Sequence, residues 1–473
     1  MIRLKSIPQR LGYVLCAQWT RDIAWTAFTI LLARHSQIIL GQIMLALSLG
    51  YLVRMAVDAG MNEFLLSSFA RRDSRPLSLL GEITWFKLGL LALALLVSWI
   101  ITGILGYEFR LRIMALAIAG GLGMDAVTDS FFALCQARGR QDVEMRIRVP
   151  AGLIGIGYGI VCTFADTGPI WLALYKPIES SILMLFALKA LDRNPLGSFS
   201  IERLRQLGQR LKLGVIFTCM AFCSMFYNKL NVFFLKTHGG NAQVGSYSVA
   251  WETVDGISTL VSGALLGKVI FPMLTKLWHE NAEEFRKLAG QTARSLWAVA
   301  LPVMYLLFVE SDRILVFIYG PHYADASLTQ RLLTPCVATA FLHNLAAYAM
   351  ISMHRQRLLL WCYVSGLAAN LLLCILLIPA FKLEGAALAL TLTKVWVAVL
   401  TIGFFQHTAR PMNSRQWLLL IGAACAAFGL WRGLGPYLPR ELTELAGLVP
   451  LLALLWRWRP PTPWEKKKTD AQP

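Results

Sequence analysis

Charge is scarce in this sequence. Asp, Glu, Lys and Arg make up 15% of its 473 residues, where a soluble domain carries roughly 25%. A soluble chain of this length would divide into two or three domains joined by polar linkers. Here apolar runs of about 20 residues, the length that crosses a bilayer as a helix, recur from end to end instead. No apolar/polar alternation at period two is sustained, which excludes a transmembrane β-barrel. The nine cysteines are scattered singly, mostly within apolar runs (Cys16, Cys162, Cys219, Cys223, Cys374, Cys425). Without a Cys-x-x-Cys or a Cys/His cluster, neither a disulfide framework nor a metal site is expected. No Gly-x-x-x-x-Gly-Lys-Ser/Thr occurs, so nucleotide-driven transport is not expected. A cleavable signal peptide is not expected either: the apolar stretch after the basic first ten residues lacks a small-residue cleavage site and carries Arg21 and Asp22.

What is present is an all-α polytopic membrane pattern of about fourteen transmembrane helices. An even number of crossings puts both termini on one side. Of the 45 Lys and Arg, 29 lie in or beside the segments on the terminal side and 7 opposite, the other 9 falling inside helices. Positive residues stay in the cytoplasm, so both termini are expected there, in a bacterial inner membrane. The net charge of +18 is spread over eight such segments, so it signals topology and not nucleic-acid binding. External loops are short, 237–246 and 320–327 being typical. They leave no room for the external catalytic region of a membrane polymerase, ligase or glycosyltransferase, so an enzyme is not expected. Two cytoplasmic inserts stand out. The first, 191–212, reads as a linker and an amphipathic helix with Ile201, Leu204, Leu207 and Leu211 on one face and Arg203, Arg205 and Arg210 at headgroup level; 278–295 is similar.

The expected organisation is therefore a six-helix lobe (1–190), the inter-lobe linker (191–212), a second six-helix lobe (213–409), two further helices (410–457) and a basic tail (458–473). A weak internal repeat supports it. Gly41 opens the second helix after an inside-to-outside hairpin, and Gly245 opens the eighth in the same way, 204 residues later. Matching directions imply a parallel repeat with a pseudo-two-fold along the membrane normal.

A charge at the bilayer centre costs about 2.5–3.5 kcal/mol. Lys87, Lys268, Arg331 and Arg432 lie near expected helix ends and can snorkel. Arg21, Lys176, Lys229 and Lys394 lie deeper, and facing lipid would cost on the order of 10–14 kcal/mol together. An electropositive cavity between the lobes, binding an anion such as a lipid diphosphate headgroup, accommodates them. The competing reading pairs each with a nearby acid, as Arg21 with Asp22 or Lys176 with Glu179. Asp125 and Asp129 (i,i+4) and Glu252 and Asp255 (i,i+3) are candidates for binding a coupling proton or sodium ion; the alternative makes them counter-ions. Arg54 and Asp58 (i,i+4) read as an internal structural pair. Pro302 and Pro335 fall inside expected helices, and Pro150 at the start of one.

Several segments resemble a known family. Leu32-Ala-Arg-His through Gly41, Val57-Asp-Ala-Gly-Met and Phe69-Ala-Arg-Arg look like the opening of the oligosaccharide (O-antigen and exopolysaccharide, Wzx-type) flippases of bacterial polysaccharide biosynthesis. Gln243-Val-Gly-Ser-Tyr-Ser-Val-Ala and Phe271-Pro-Met-Leu resemble the start of their second lobe. Ile314 to Tyr323 and Ile378 to Ala389 resemble later hairpins, with Lys382 where the family commonly has glycine. The Arg21-Asp22 pair is similar to one in the first helix of the lipid II flippase, in the same exporter superfamily. The resemblance implies two six-helix bundles with two extra helices, and transport by alternating access without ATP. The substrate it implies is a polyprenyl-diphosphate-linked oligosaccharide. No cofactor is implied beyond coupling to a proton or sodium gradient. The implied partners are the lipid-linked substrate, membrane lipids, a polysaccharide polymerase and a chain-length regulator. A cation-coupled multidrug antiporter of the same superfamily is the alternative.

Overall fold

The computed structural model describes residues 7–70, 76–138, 140–191, 215–261, 266–267 and 270–459, and every regular element among them is helical. The expected amphipathic helix of the first insert, Lys268 and most of the basic tail lie outside these residues. In chain order the helices are α1 (Ile7–His35), α2 (Gln37–Asp58), α3 (Met61–Ala70), α4 (Pro76–Ile104), α5 (Phe109–Ala137), α6 (Gln141–Phe164), α7 (Pro169–Ala173), α8 (Tyr175–Ala190) and α9 (Val215–Val261). Then come α10 (Phe271–Glu280), α11 (Ala282–Val309), α12 (Ser311–Tyr319), a 3-10 turn (Pro321–Ala326), α13 (Ser327–Leu333), α14 (Pro335–Ser352), α15 (Gln356–Ala409), α16 (Ser414–Leu434) and α17 (Arg440–Trp458).

Ten stretches are long and apolar enough to span a membrane. Two of these are double. In α9 the chain turns at Gly240 (φ 77°), and Asn231 donates to the Tyr247 hydroxyl at 3.4 Å. Sixteen residues of straight helix would hold those groups about 24 Å apart, so the segment doubles back. In α15 the turn falls at Lys382 (φ 45°), and Asn370 donates to Thr393 across it at 3.0 Å. Counting both arms of each double gives twelve; α1 and α17, which are not among those ten stretches, are the long helices left for the other two of the fourteen expected crossings.

Helix ends follow local chemistry. Ser36 caps α2 by accepting from the Ile39 amide, and Asn281 caps α11 by accepting from Glu283 and Glu284. Because of that cap the second expected insert is mostly helix, being the first turns of α11. Pro335 stands at the junction of α13 and α14, inside the 321–352 stretch as expected, with Thr334 before it keeping helical backbone angles (φ −51°, ψ −40°). Pro302 is inside α11 as expected, and Pro150 is inside α6.

The described chain forms two compact units, Met1–Ser248 with Ile318–His322, and Val249–Phe317 with Tyr323–Pro473. In the first, α5 is central, packing on α2, α4, α6 and α8. Val53, Val57, Ile83, Phe131, Phe132 and Leu183 are buried in its core. The opposite face of α4 leaves Leu93, Leu96, Ile100 and Ile104 exposed, as a lipid-facing stripe requires. Within this unit the repeat has a physical counterpart. A Cβ on Gly41 would strike the Asn241 carbonyl, and one on Gly245 would strike the Gln37 carbonyl. Asn241 is 204 residues after Gln37, as Gly245 is after Gly41. The contact is thus reciprocal, as a two-fold relation makes it.

In the second unit α17 packs on α11 and α16. Tyr305, Val309, Ala427 and Leu451 form a small core there. Tyr305 donates to the Glu444 carbonyl at 3.1 Å, and a Cβ on Gly447 would strike its hydroxyl.

Candidate functional site

The charges of the first unit gather around α5. Two glycines, one on α5 and one on α6, let α8 sink against both helices. A Cβ on Gly121 of α5 would lie 3.0 Å from the Lys176 backbone, and one on Gly155 of α6 would lie 2.7 Å from the Glu179 Cβ. This close approach carries Lys176 Nζ to 2.7 Å from Asp125 and 2.9 Å from Glu179, all three buried. Asp125 Oδ1 is buried without a hydrogen-bond partner. Arg21 lies 3.7 Å from Asp22 and stays partly exposed. Its Cγ and Glu179 Oε1 flank Gly152, 3.8 and 3.9 Å from where a Cβ would stand. Arg21, Lys176, Asp125 and Glu179 are therefore neighbours. Trp25 stacks on Tyr175, with Phe28 tilted against both, beside them.

Asp129, one turn from Asp125, has different surroundings. It accepts from Arg54 at 2.8 Å and from Arg148 at 2.7 Å, and Arg148 also meets Glu144 at 3.1 Å. Arg54 does not pair with Asp58, as its spacing suggested, because Asp129 claims it from α5. Asp58 instead meets Lys87 at 2.8 Å. Lys87 does not snorkel: it is 0% exposed and also donates to Asn62 (2.9 Å) and the Ala126 carbonyl (2.8 Å). Lys87 and Arg148 are the members of this network that sequence reasoning missed. Their partners Asp58 and Asp129 lie 29 and 19 residues away, beyond any helical spacing, although Arg148 also has Glu144 at i,i+4.

Lys229 and Lys394 are arranged otherwise. Lys229 Nζ sits 5.1 Å from the Tyr51 ring centroid, in the first unit. Lys394 Nζ sits 4.3 Å from the Trp251 ring centroid, in the second. Both are half-buried, and among the described residues neither has a carboxylate within ion-pair distance. Glu252 and Asp255 are also half-buried in the second unit; Asp255 and Lys394 both exert their charge on buried Cys336. Near by, His343 bridges the Thr401 and Tyr363 hydroxyls at 3.0 and 2.9 Å.

Chemically, the first unit offers a triad in which two carboxylates share one ammonium. Its charge is −1 when all three groups are ionised, so one bound proton or monovalent cation neutralises it. Lys229 and Lys394 offer positive charge that, among the described residues, no carboxylate meets at ion-pair distance.

The molecule is similar to known transporters. Its fold matches the lipid II flippase MurJ in an inward closed conformation, with a TM-score of 0.73 and 13% identity over 95% of this chain and 98% of that one. It matches an inward-facing multidrug resistance MATE family transporter with a TM-score of 0.64 and 14% identity over 83% and 94%. By sequence it is 24% identical, over 169 residues, to a probable low-salt glycan biosynthesis flippase of Haloferax volcanii. That match spans 36% of this chain and 35% of its relative. The sequence profile of one family extends over 37–328, and on that match the chain belongs to the polysaccharide biosynthesis protein family.

Proposed function

We propose that this multi-pass protein is a flippase moving a polyprenyl-diphosphate-linked oligosaccharide across the cytoplasmic membrane by alternating access. The observation that carries the reading is the pair of intramembrane ammoniums, Lys229 and Lys394, set against aromatic faces instead of acids. A cation over a ring keeps its charge and gains about 0.5–2 kcal/mol from the quadrupole, leaving it open to a phosphate. Family membership and the fold match support the same reading. A drug antiporter for cationic compounds is disfavoured by these same two charges.

Arg21, half-exposed and paired among the described residues only with Asp22, is a further candidate for contact with an anionic headgroup. Lys176, held by two acids, belongs instead to the coupling machinery with Asp125. Glu252 and Asp255 are a second coupling candidate. Both termini lie in the cytoplasm of a bacterial cell on the charge bias; a carboxy-terminal reporter active only in the periplasm would refute this. A polymerase that consumes the exported unit is the expected partner.

The test is Lys229→Ala and Lys394→Ala, scored for protein level and for lipid-linked precursor retained in the inner leaflet. Normal levels with export lowered about ten-fold or more are expected, the loss of roughly 1.4 kcal/mol of binding. Normal levels with normal export in both variants would overturn the assignment.

A further inference from the structure

The second unit contains an open pocket of about 700 Å³ where α11, α13, α16 and α17 meet. Three guanidiniums line it, those of Arg331, Arg432 and Arg440, together with Trp431 and Thr443, and no acid does. Two of the three are fixed from behind. Arg440 makes a bidentate pair with Asp312 (2.7 and 2.8 Å), meets Glu444 at 2.6 Å and donates to the Val309 carbonyl at 3.0 Å. Arg331 donates through Nε to Ser311 (2.8 Å) and to the Phe308 carbonyl (3.1 Å), with Asp312 3.6 Å away. Their planes are thus oriented before anything binds, which lowers the entropy of holding a ligand. Arg432 is exposed, and among the described residues it has neither an ion pair nor a hydrogen bond.

The pocket lies at helix ends. Val309 closes α11, Leu434 closes α16 and Arg440 opens α17. The charge count places those ends on the periplasmic side, at headgroup height. Beside it Tyr437 is 83% exposed and Leu438 is 40% exposed, an apolar rim at the depth where a lipid's glycerol and first methylenes lie. Of the pocket's lining, Trp431 packs edge-on against Phe308 and Phe428.

We infer that this arginine-lined pocket binds a phosphate group, presented by an anionic phospholipid of the outer leaflet. Planar guanidiniums match phosphate oxygens in pairs, and basic pockets between membrane helices suit such headgroups. The site exists only because the two extra helices dock on α11, so it would make their docking sensitive to the surrounding lipid.

The test is native mass spectrometry of the full chain in detergent, offered phosphatidylglycerol or phosphatidylcholine of matched acyl chains. Wild type should retain phosphatidylglycerol about five-fold or more in preference. Arg432→Ala and Arg432→Glu should lose that preference with an unchanged melting temperature, because Arg432 holds no structural partner. Arg415→Ala, at the opposite end of α16, should keep it. Glycerol 3-phosphate in the millimolar range separates the two sources. Displacement of the lipid shows that the phosphate alone is recognised, while its failure to compete, with the preference intact, shows that the lipid is required. Equal retention of both lipids by wild type, or a preference that survives in folded Arg432→Ala and Arg432→Glu, would overturn the proposal.

Discussion

Helices α2 to α8 of the first unit pair their deep cations with acids, while the second unit, which pairs Arg440 and Arg331 with Asp312, leaves Lys394 and Arg432 without an acid among the described residues. In the former, Lys87, Lys176, Arg54 and Arg148 each find a carboxylate within 3 Å. In the latter, Lys394 lies on a tryptophan face and Arg432 faces a pocket. Lys229, although packed in the first unit, belongs by sequence to the second repeat and follows the second pattern. Paired charges tie helices to one another, because a lone buried ion costs several kcal/mol and its partner holds it in place. Unpaired charges do little for the fold and remain available to a ligand. Both kinds of charge are present, and the unpaired cations Lys229, Lys394 and Arg432 all lie beyond residue 212.

The largest effect that would break this comparison is at Lys87. Lys87→Ala leaves Asp58 without its cation and frees the Ala126 carbonyl, so a loss of about 3–5 kcal/mol is expected. It should read as protein missing from the membrane. Lys87→Met with Asp58→Leu should restore most of it, since the uncompensated charge is removed. Wild-type levels and melting temperature in Lys87→Ala would mean that the network is not structural.

Asp125 and Asp129 sharpen the contrast within a single helix turn. Asp129→Asn leaves two guanidiniums facing each other and should lower stability by about 3 kcal/mol. Asp125→Asn leaves Lys176 still paired with Glu179, so the protein should persist while gradient-dependent export is lost. Retained gradient dependence in Asp125→Asn would remove it as a coupling acid.

These contrasts show what the sequence could and could not tell. Span count, the repeat and the i,i+3 pair Lys176–Glu179 were legible, because hydropathy and helical spacing are local. Lys87 was misread as a snorkelling residue, because distance from a helix end says nothing about what packs over it. The Arg54–Asp58 pairing failed for a related reason. Spacing allowed it, but Asp129 and Lys87 compete from helices whose positions no local pattern encodes. The arginine pocket was illegible as a site: its residues come from segments over a hundred positions apart, each innocuous alone.

Outside the membrane spans, the acids behind the arginine pocket give a pH test of the second unit. Just past the end of α11, burial and the neighbouring Glu444 carboxylate push the Glu310 carboxyl up to about 7, against the pull of Arg313 and Arg440. Its raised value means that the folded protein holds this proton more tightly than the unfolded chain does. Stability from this group should therefore fall as pH rises from about 4.5 to 7 and then level off. Asp312, held down to about 2 chiefly by Arg440, contributes above its ordinary range and loses that contribution only as pH falls toward 2, outside this window. Glu310→Gln should flatten the melting curve between pH 5 and pH 8 and gain about 2 kcal/mol at pH 8. An unchanged slope would show that Glu310 is already ionised throughout.

The smallest effect concerns the two hairpin turns. Both units fold a long apolar stretch back on itself at one residue of positive φ. The first uses Gly240 (φ 77°, ψ −178°) and the second Lys382 (φ 45°, ψ −109°). Glycine enters such regions without a Cβ clash, whereas a residue with a side chain is strained by about 1–3 kcal/mol. Gly385, three residues on, lies so close to the Leu377 carbonyl that a Cβ would strike it, so the arms are already tightly apposed next to the turn. Glycine also loses more backbone entropy on folding, which offsets part of the relief. Lys382→Gly should therefore stabilise the second unit by about 1 kcal/mol, a rise of roughly 2 °C in melting temperature, with transport unchanged. Gly240→Lys should destabilise the first unit by more, because its extended ψ is confined to glycine. A fall in melting temperature for Lys382→Gly would mean that the lysine side chain holds the turn through its own contacts, with the strained backbone as the cost of that anchor.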